Sequence, residues 1–106
     1  MNNYRNWKFH FSNALKIQFK AEADIPVLDA PIDTPVRITY TFYYPDNRLR
    51  DIDNSLAVIS KFCGDAMVEN GVLNDDNYKW VKSVKGVYGG IDNVNPRCDV
   101  EIKEAK

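Results

Sequence analysis

A strict alternation of apolar and polar side chains in the segment VRITYTFYY, residues 36–44, constrains the fold more than any other feature. In an extended chain, successive side chains point to opposite faces. The members that share one face are Val36, Ile38, Tyr40, Phe42 and Tyr44, and those on the other are Arg37, Thr39, Thr41 and Tyr43. The pattern therefore predicts a half-buried β-strand that ends at Pro45.

A helical pattern follows this strand. Apolar side chains recur at about 100° per residue, and the positions on this face are Leu56, Ile59, Cys63, Ala66 and Met67. Asp53 or Asn54 is predicted to cap the start of the helix, because a side-chain oxygen there accepts hydrogen bonds from free amide groups. Gly71, which follows Asn70, is predicted to stop it.

The first segment of the chain fits two patterns. Four aromatic or aliphatic residues lie four positions apart, as on one helical stripe: Trp7, Phe11, Leu15 and Phe19. The pieces WKFHF and LKIQF also alternate, as strands do. Because no turn signal interrupts the segment, we predict a helix over residues 4–20.

The other segments predict a loop, a turn and two further strands. Prolines at positions 26, 31 and 35 predict a loop over residues 22–36. The sequence LNDDN predicts a polar turn. Residues 78–88 and 98–104 are predicted as strands, joined by a hairpin connection over residues 89–97.

The length and element order predict one α+β domain. The 106 residues suit a single domain without room for two separate cores. The predicted order is helix, strand, helix, strand, strand, which indicates a small mixed sheet packed against helices. The net charge is -1, with 14 basic and 15 acidic residues, so a nucleic-acid partner requires a local basic patch.

No segment predicts secretion or membrane insertion. The start, MNNYRNWKFHF, lacks the apolar core of a signal peptide, and no stretch approaches the roughly 20 apolar residues of a membrane span. Cys63 and Cys98 match neither a disulfide scaffold nor a CxxC zinc spacing. We therefore expect a cytoplasmic protein with two reduced thiols and no membrane partner.

Two pairs of carboxylates flank the predicted helix. Asp51 and Asp53 precede it, and Asp75 and Asp76 lie in the turn after it. The helix would be about 24 Å long if residues 54–69 were all helical, so the sequence alone does not bring the pairs together. Convergence requires a helix that starts late or a partner chain that supplies the second pair. Capping and turn roles explain the same residues, whereas converged carboxylates would suit Mg²⁺ or Mn²⁺.

The combined motif is similar to that of a known family. The stretch RLRDIDNSL, followed by KFCGDAMVENGVLNDDNYKWV, resembles the RusA-type Holliday-junction endonucleases, small homodimeric resolvases of phage and bacterial origin. The shared pattern runs through basic residues, Asp-x-Asp-Asn, a helix containing Lys and Asp-Ala-Met, a glycine, a hydrophobic pair and Asp-Asp. The resemblance covers about residues 36–103.

The resemblance implies a metal site and a reaction. The metal-binding and catalytic triad of the family falls on Asp51, Asp53 and Asp76, which would converge on Mg²⁺, with Mn²⁺ as a substitute. Family members bind four-way DNA junctions as homodimers. They nick the strands symmetrically by hydrolysing a phosphodiester with metal-activated water.

The catalytic lysine of the family is displaced here. Counted from Asp-x-Asp, its place is Ala57, but counted back from Asp-Ala-Met, its place is Lys61. An insertion of about one helical turn reconciles the two counts. Lys61 would then contact the scissile phosphate, or it would pair with Asp65 at i,i+4.

Basic residues near these carboxylates are candidate DNA contacts. Arg48 and Arg50 precede Asp51, and the lysines at positions 79, 82 and 85 follow Asp76. Contacts of this kind give salt-dependent, largely sequence-independent affinity, although scattered surface lysines are equally ordinary. The chain also starts almost at the predicted first helix, so we expect the N-terminal edge strand of the family to be missing.

Three functional hypotheses follow from the sequence. The first is a Mg²⁺-dependent endonuclease that resolves Holliday junctions as a homodimer in DNA recombination and repair. The second is a non-catalytic DNA-binding or regulatory module that keeps the resolvase fold. The third is a structural module in which the carboxylates only cap helices and turns.

Overall fold

The computed structural model describes residues 6–12, 22–23, 28 and 30–105. This part of the chain contains five β-strands and one α-helix: β1 (Asn6–Ser12), β2 (Glu22–Ala23), β3 (Val36–Tyr44), α1 (Ile52–Glu69), β4 (Val81–Ile91) and β5 (Arg97–Glu104). The strands form one sheet in the order β2-β1-β5-β3-β4. Strands β3 and β4 are parallel, and β5 is antiparallel to both β1 and β3. The predicted α+β class and mixed sheet are confirmed.

The predicted strand at residues 36–44 is β3, and its alternation sets the core. Every second side chain of β3, from Val36 to Tyr44, is at most 4% exposed. These side chains share a core with three helical positions predicted to face inward: Ile59, Cys63 and Met67. The β5 side chains predicted to point inward are also buried: Cys98, Val100 and Ile102.

The helix begins earlier than predicted. Asp51 is the N-cap, with an extended backbone (φ -89°, ψ 115°), and its Oδ1 accepts a hydrogen bond from the Asp53 amide at 2.9 Å. The prediction of Asp53 or Asn54 as the cap is therefore wrong, because both already lie in the first turn. The predicted stop is confirmed: the helix ends at Glu69, and Gly71 has a left-handed φ of 74°.

The helix predicted over residues 4–20 is wrong for residues 6–12, which form β1. Strand β1 pairs with β5 along its whole length, from Asn6 opposite Lys103 to Ser12 opposite Arg97, and Phe9 is buried. A spacing of four residues is even, so it also keeps side chains on one face of a strand. The rest of the predicted helix lies outside the described residues.

One further feature differs from expectation at the start of the chain. The predicted loop over residues 22–36 contains the two-residue strand β2, which pairs with β1. The expectation that the family's N-terminal edge strand is missing stays a prediction, since β1 lies between β2 and β5 and not at the edge of the described sheet.

The predicted hairpin between the last two strands is wrong. Strand β4 lies at the edge of the sheet beside β3, whereas β5 is inserted between β1 and β3. The Asp92 amide donates to the Tyr44 carbonyl at 2.8 Å, so the connection passes the end of β3. Turn-forming residues predict that the chain reverses, but they do not specify the strand beside which it then lies.

The two faces of the sheet differ in character. Helix α1 packs on one face, where a methyl group added to Gly86 would lie 3.0 Å from Ile52 Cγ2. The opposite face, here called the open face, carries no helix among the described residues. Its side chains are Lys8, His10, Arg37, Thr39, Thr41, Tyr43, Ser83, Lys85, Val87, Arg97, Asp99, Glu101 and Lys103. Within the described ranges, no helix is long and apolar enough to cross a membrane.

Candidate functional site

The two aspartates at the start of α1 have different roles. Asp51 caps the helix through its Oδ1. Asp53 lies in the first turn and is exposed, and within the described part of the chain its carboxylate takes part in no hydrogen bond or ion pair. A carboxylate at this position interacts favourably with the positive end of the helix dipole. Of the pair, Asp53 is therefore the one available to a ligand.

The two arginines predicted to contact DNA are held by Asp46. Arg50 forms an ion pair with Asp46 at 2.9 Å, donates to the Asp46 and Arg48 carbonyls, and lies 5.0 Å from the centre of the Tyr44 ring. Arg48 donates its amide to Asp46 at 2.9 Å and places its guanidinium 3.8 Å from the same carboxylate. Hydrogen bonds from Arg50 and then Arg48 lower the pKa of Asp46. Arg50 therefore orders the turn before the helix, and Arg48 is the more exposed of the two.

The two aspartates of the second acidic pair, Asp75 and Asp76, also have different roles. Asp75 accepts hydrogen bonds from the Asp76 amide at 2.7 Å and from the Asn77 side chain at 3.2 Å, so it orders the turn. Asp76 lies against α1, since a methyl group added to Gly64 would come within 3.3 Å of its Oδ2. Among the described residues, no hydrogen bond or ion pair involves the Asp76 carboxylate.

The structure does not bring the predicted triad together within one chain. Gly64, which marks the position of Asp76, stands eleven residues after Asp53. At 1.5 Å per residue, this places the two carboxylates about 16 Å apart along the helix axis. No three metal-ligating side chains of the described residues come close enough to hold one ion. One chain therefore does not fit a resident metal ion at Asp51, Asp53 and Asp76.

Lys61 lies between these carboxylates, on the same flank of the helix. Asp53, Ala57 and Lys61 are spaced i, i+4 and i+8, so they follow one another along this flank. The Lys61 ammonium lies 3.4 Å from Asp65 Oδ1, so the alternative i,i+4 pair is present. Lys61 and Asp76 also line a cavity of about 240 Å³ beside β4. Its other lining residues are Ile38, Tyr40, Ser60, Gly64, Met67, Leu73, Val81 and Val84.

The three lysines after Asp76 do not share one surface. Lys79 lies in the turn before β4, with its ammonium 5.5 Å from the centre of the Trp80 ring. Lys82 is exposed at a register shift of β4, where Val36 pairs with Val81 and Arg37 with Ser83. Lys85 pairs with Thr39 and lies on the open face. The lysines therefore do not form a single rim around the acidic residues.

Sequence reasoning missed a charged network on the open face. Arg97 forms ion pairs with Asp92 at 2.8 Å and Asp99 at 3.1 Å, and its guanidinium lies 4.0 Å from the centre of the Tyr43 ring. Hydrogen bonds from the Asn95 amide, the Arg97 side chain and the Val94 amide lower the pKa of Asp92. The one sequence signal for this network is that Arg97 stands next to Cys98, whose predicted inward orientation places Arg97 on the opposite face of the strand.

The two cysteines lie in the core as reduced thiols. Cys63 and Cys98 are both fully buried. Burial raises the pKa of Cys63 to about 12 even though the Tyr40 hydroxyl forms a hydrogen bond with it, and burial raises the pKa of Cys98 as well. A thiol reacts as its thiolate, so burial and the raised pKa make both groups poor nucleophiles at neutral pH.

Comparisons with known proteins assign no family to the chain. No protein-family model matches it, and no curated protein matches its sequence.

Proposed function

We propose that this chain is one subunit of a homodimeric, Mg²⁺-dependent DNA endonuclease that cleaves four-way junctions in the cytoplasm, in recombination and repair. The observation that carries the proposal is the pair of unengaged carboxylates on one helix flank, Asp53 at its start and Asp76 near Gly64. The resemblance of the DIDN and DD motifs to the RusA-type endonucleases supports the same reading.

The separation of the carboxylates suggests where the metal site is completed. Asp53 and Asp76 lie about 16 Å apart along α1, so one subunit supplies only part of a site. In a two-fold dimer whose axis crosses α1 at right angles, midway between Asp53 and Gly64, the two helices run in opposite directions. The Asp53 end of one helix then lies level with the Asp76 end of the other, and each site draws carboxylates from both subunits.

The surface beside this flank is suited to a second copy. Strand β4 is the edge of the sheet, and three of its apolar side chains are about half exposed next to α1: Val84, Tyr88 and Ile91. Leu49, in the turn before the helix, is 98% exposed. Exposed apolar side chains in one region mark interaction surfaces.

The test is complementation between two inactive variants. Asp53→Asn and Asp76→Asn should each abolish nicking of a synthetic four-way junction in Mg²⁺. In a mixed dimer with a shared site, both substitutions fall in one site and the other site is intact. Refolding the two variants together should therefore restore about a quarter of wild-type nicking, because half of the dimers are mixed and each carries one intact site.

The other outcomes separate the parts of the proposal. No recovery after mixing, with both single variants inactive, would place the complete site within one subunit. Full nicking by Asp53→Asn alone would remove the assignment of this residue. A linear duplex serves as the control substrate, because symmetric nicks should appear in the junction only.

A second candidate function is a non-catalytic DNA-binding module with the same fold. It is favoured by the Asp46 contacts of Arg48 and Arg50 and by the Lys61–Asp65 pair, which give three candidate site residues structural partners. Titration with Mn²⁺ distinguishes the two functions. Retained DNA affinity without Mn²⁺ binding at millimolar concentration would select the module.

A further inference from the structure

Cationic side chains gather at one end of the open face, through strands that are distant in sequence. Lys103 of β5 pairs with Arg37 of β3, and Arg37 pairs with Ser83 of β4. The next row of the sheet contains, in order across four strands, Lys8, Glu101, Thr39 and Lys85. We call these two rows the basic end of the open face.

The charge of this surface is strongly positive for a chain whose net charge is -1. The basic end holds four cations and a single carboxylate, Glu101, which lies 3.6 Å from Lys8 and 3.8 Å from Lys103. Arg37 donates to the Ser83 hydroxyl at 3.3 Å, and neither Arg37 nor Lys85 forms an ion pair with a described residue. One carboxylate therefore balances only part of the charge.

The cations are accessible. The side chain of Lys8 is 72% exposed and that of Lys103 is 60% exposed, and Arg37 and Lys85 are also exposed. With neighbouring strands about 4.8 Å apart, the row from Lys8 to Lys85 spans about 14 Å. The adjacent hydroxyls of Thr39 and Ser83 add neutral donors. A flat surface of spaced cations and hydroxyls matches the chemistry of a phosphodiester backbone.

The rest of the open face differs from the basic end. Its remaining ion pairs lie around Arg97, whose charge is matched by Asp92 and Asp99. The flank of α1 offers little positive charge. In the turn before the helix, Asp46 pairs with Arg48 and Arg50, and on the helix Asp65 pairs with Lys61. The charges of the described residues are therefore segregated between the two sides of the sheet.

We infer that the basic end of the open face binds the phosphate backbone of DNA, on the side of the sheet opposite the acidic helix flank. This rests on the proposed function for the identity of the nucleic acid. It adds a second contact surface, which holds the DNA at a distance from the phosphodiester that is cleaved at the acidic flank. Lys8, Arg37, Lys85 and Lys103 contact phosphates, so binding is salt-dependent and independent of base sequence.

The test measures the affinity of the full chain for a short fluorescein-labelled linear duplex by anisotropy, with EDTA present, across a series of salt concentrations. Four phosphate contacts per subunit predict a slope of about -3.6 in log K against log salt. The variant Arg37→Gln/Lys85→Gln should reduce the slope to about -1.8. Thermal unfolding of each variant shows whether it remains folded.

A control double variant removes the same charge at two lysines that lie outside the basic end, Lys79 and Lys82. Lys79→Gln/Lys82→Gln should lower the affinity less than Arg37→Gln/Lys85→Gln does. A larger loss of duplex affinity in Lys79→Gln/Lys82→Gln would overturn the inference. Equal affinity of the wild type and Arg37→Gln/Lys85→Gln would also overturn it. So would the absence of duplex binding by the wild type at low salt.

The result is separable from that of the nuclease assay. Asp53→Asn should bind the duplex with wild-type affinity in EDTA, since this carboxylate lies on the opposite side of the sheet. If the duplex binds through the open face but Mg²⁺-dependent nicking is absent, the inference is supported and the proposed nuclease is contradicted. If Arg37→Gln/Lys85→Gln changes neither the nicking nor the affinity, the proposed nuclease is supported and the inference is contradicted.

Discussion

The two faces of the sheet are built from alternate residues of the same strands, yet they have opposite character. On the covered face, β3 presents side chains that are at most 4% exposed, packed against Ile59, Cys63 and Met67 of α1. On the open face, the neighbouring positions carry arginine, threonine and tyrosine. Stability is therefore concentrated on one side of the sheet and charge on the other. Substitutions one residue apart should have effects of different kinds.

The largest expected effect is on the covered face, at Phe42. This side chain is fully buried, and Phe→Ala substitutions in cores cost about 3–5 kcal/mol. We expect Phe42→Ala to lose most of its stability in urea unfolding followed by circular dichroism. The matched open-face variant Arg37→Gln should change the free energy of unfolding by less than about 0.5 kcal/mol. Similar losses in both variants would contradict the difference between the faces.

The next effect tests whether part of the open face is also closely packed. A methyl group on Gly89 would lie 2.7 Å from both Thr41 Cγ2 and the Tyr43 ring. Gly89→Ala should displace the Tyr43 ring from Arg97 and destabilise the chain by about 1–3 kcal/mol. The check is the midpoint of urea unfolding. An unchanged midpoint would show that Tyr43 moves without cost.

A smaller effect concerns the start of the helix that covers the sheet. Asp51→Ala removes the cap and should cost about 1 kcal/mol, whereas Asp51→Asn keeps a capping oxygen and should be nearly neutral. Unfolding measurements on both variants separate capping from metal binding. If Asp51→Asn keeps its stability but loses junction nicking, Asp51 has a role beyond the cap.

The smallest effect is the pH dependence of the open-face network. Hydrogen bonds from the Asn95 amide, Arg97 and the Val94 amide lower the pKa of Asp92 in the folded chain. A lowered folded-state pKa stabilises the chain above the usual aspartate value of about 3.9, and this contribution is lost as the pH falls through the folded-state pKa. Unfolding midpoints measured between neutral pH and pH 3 should fall less steeply in Asp92→Asn than in the wild type. Parallel curves would contradict the role of Asp92.

Local sequence patterns correctly predicted the elements in which the apolar side chains follow only one period, that of a strand or that of a helix. The alternation of Val36 to Tyr44 located β3, and the spacing of Ile59, Cys63 and Met67 located the buried face of α1. The first segment failed because the separation of Trp7 and Phe11 is compatible with both periods, and only pairing with β5 selects the strand. Strand order depends on contacts between distant segments, so the turn residues after β4 gave the wrong neighbour.

The sequence located the acidic residues of the candidate site but not their geometry. It placed two acidic pairs, Asp51 with Asp53 and Asp75 with Asp76, on either side of the helix, and the resemblance alone selected Asp76 from the second pair. The structure keeps Asp53 and Asp76 apart within one chain.

The sequence did not reveal that Asp46 pairs with both arginines, because that turn is ordinary in composition. It also did not reveal the basic end, since Lys8, Arg37 and Lys103 become neighbours only through the order of the strands.

The central position of β5 in the sheet has a consequence for how the chain folds. Strand β5 lies between β1 and β3, so Phe9 pairs with Val100 across nearly the whole sequence. During synthesis, β1 and β3 lack the strand that pairs with both of them until β5 leaves the ribosome. The unit of β3, α1 and β4 forms through shorter-range contacts, but the sheet closes last. Pairings of such long range slow folding, and until β5 arrives the edges of β1 and β3 stay open to association with other chains.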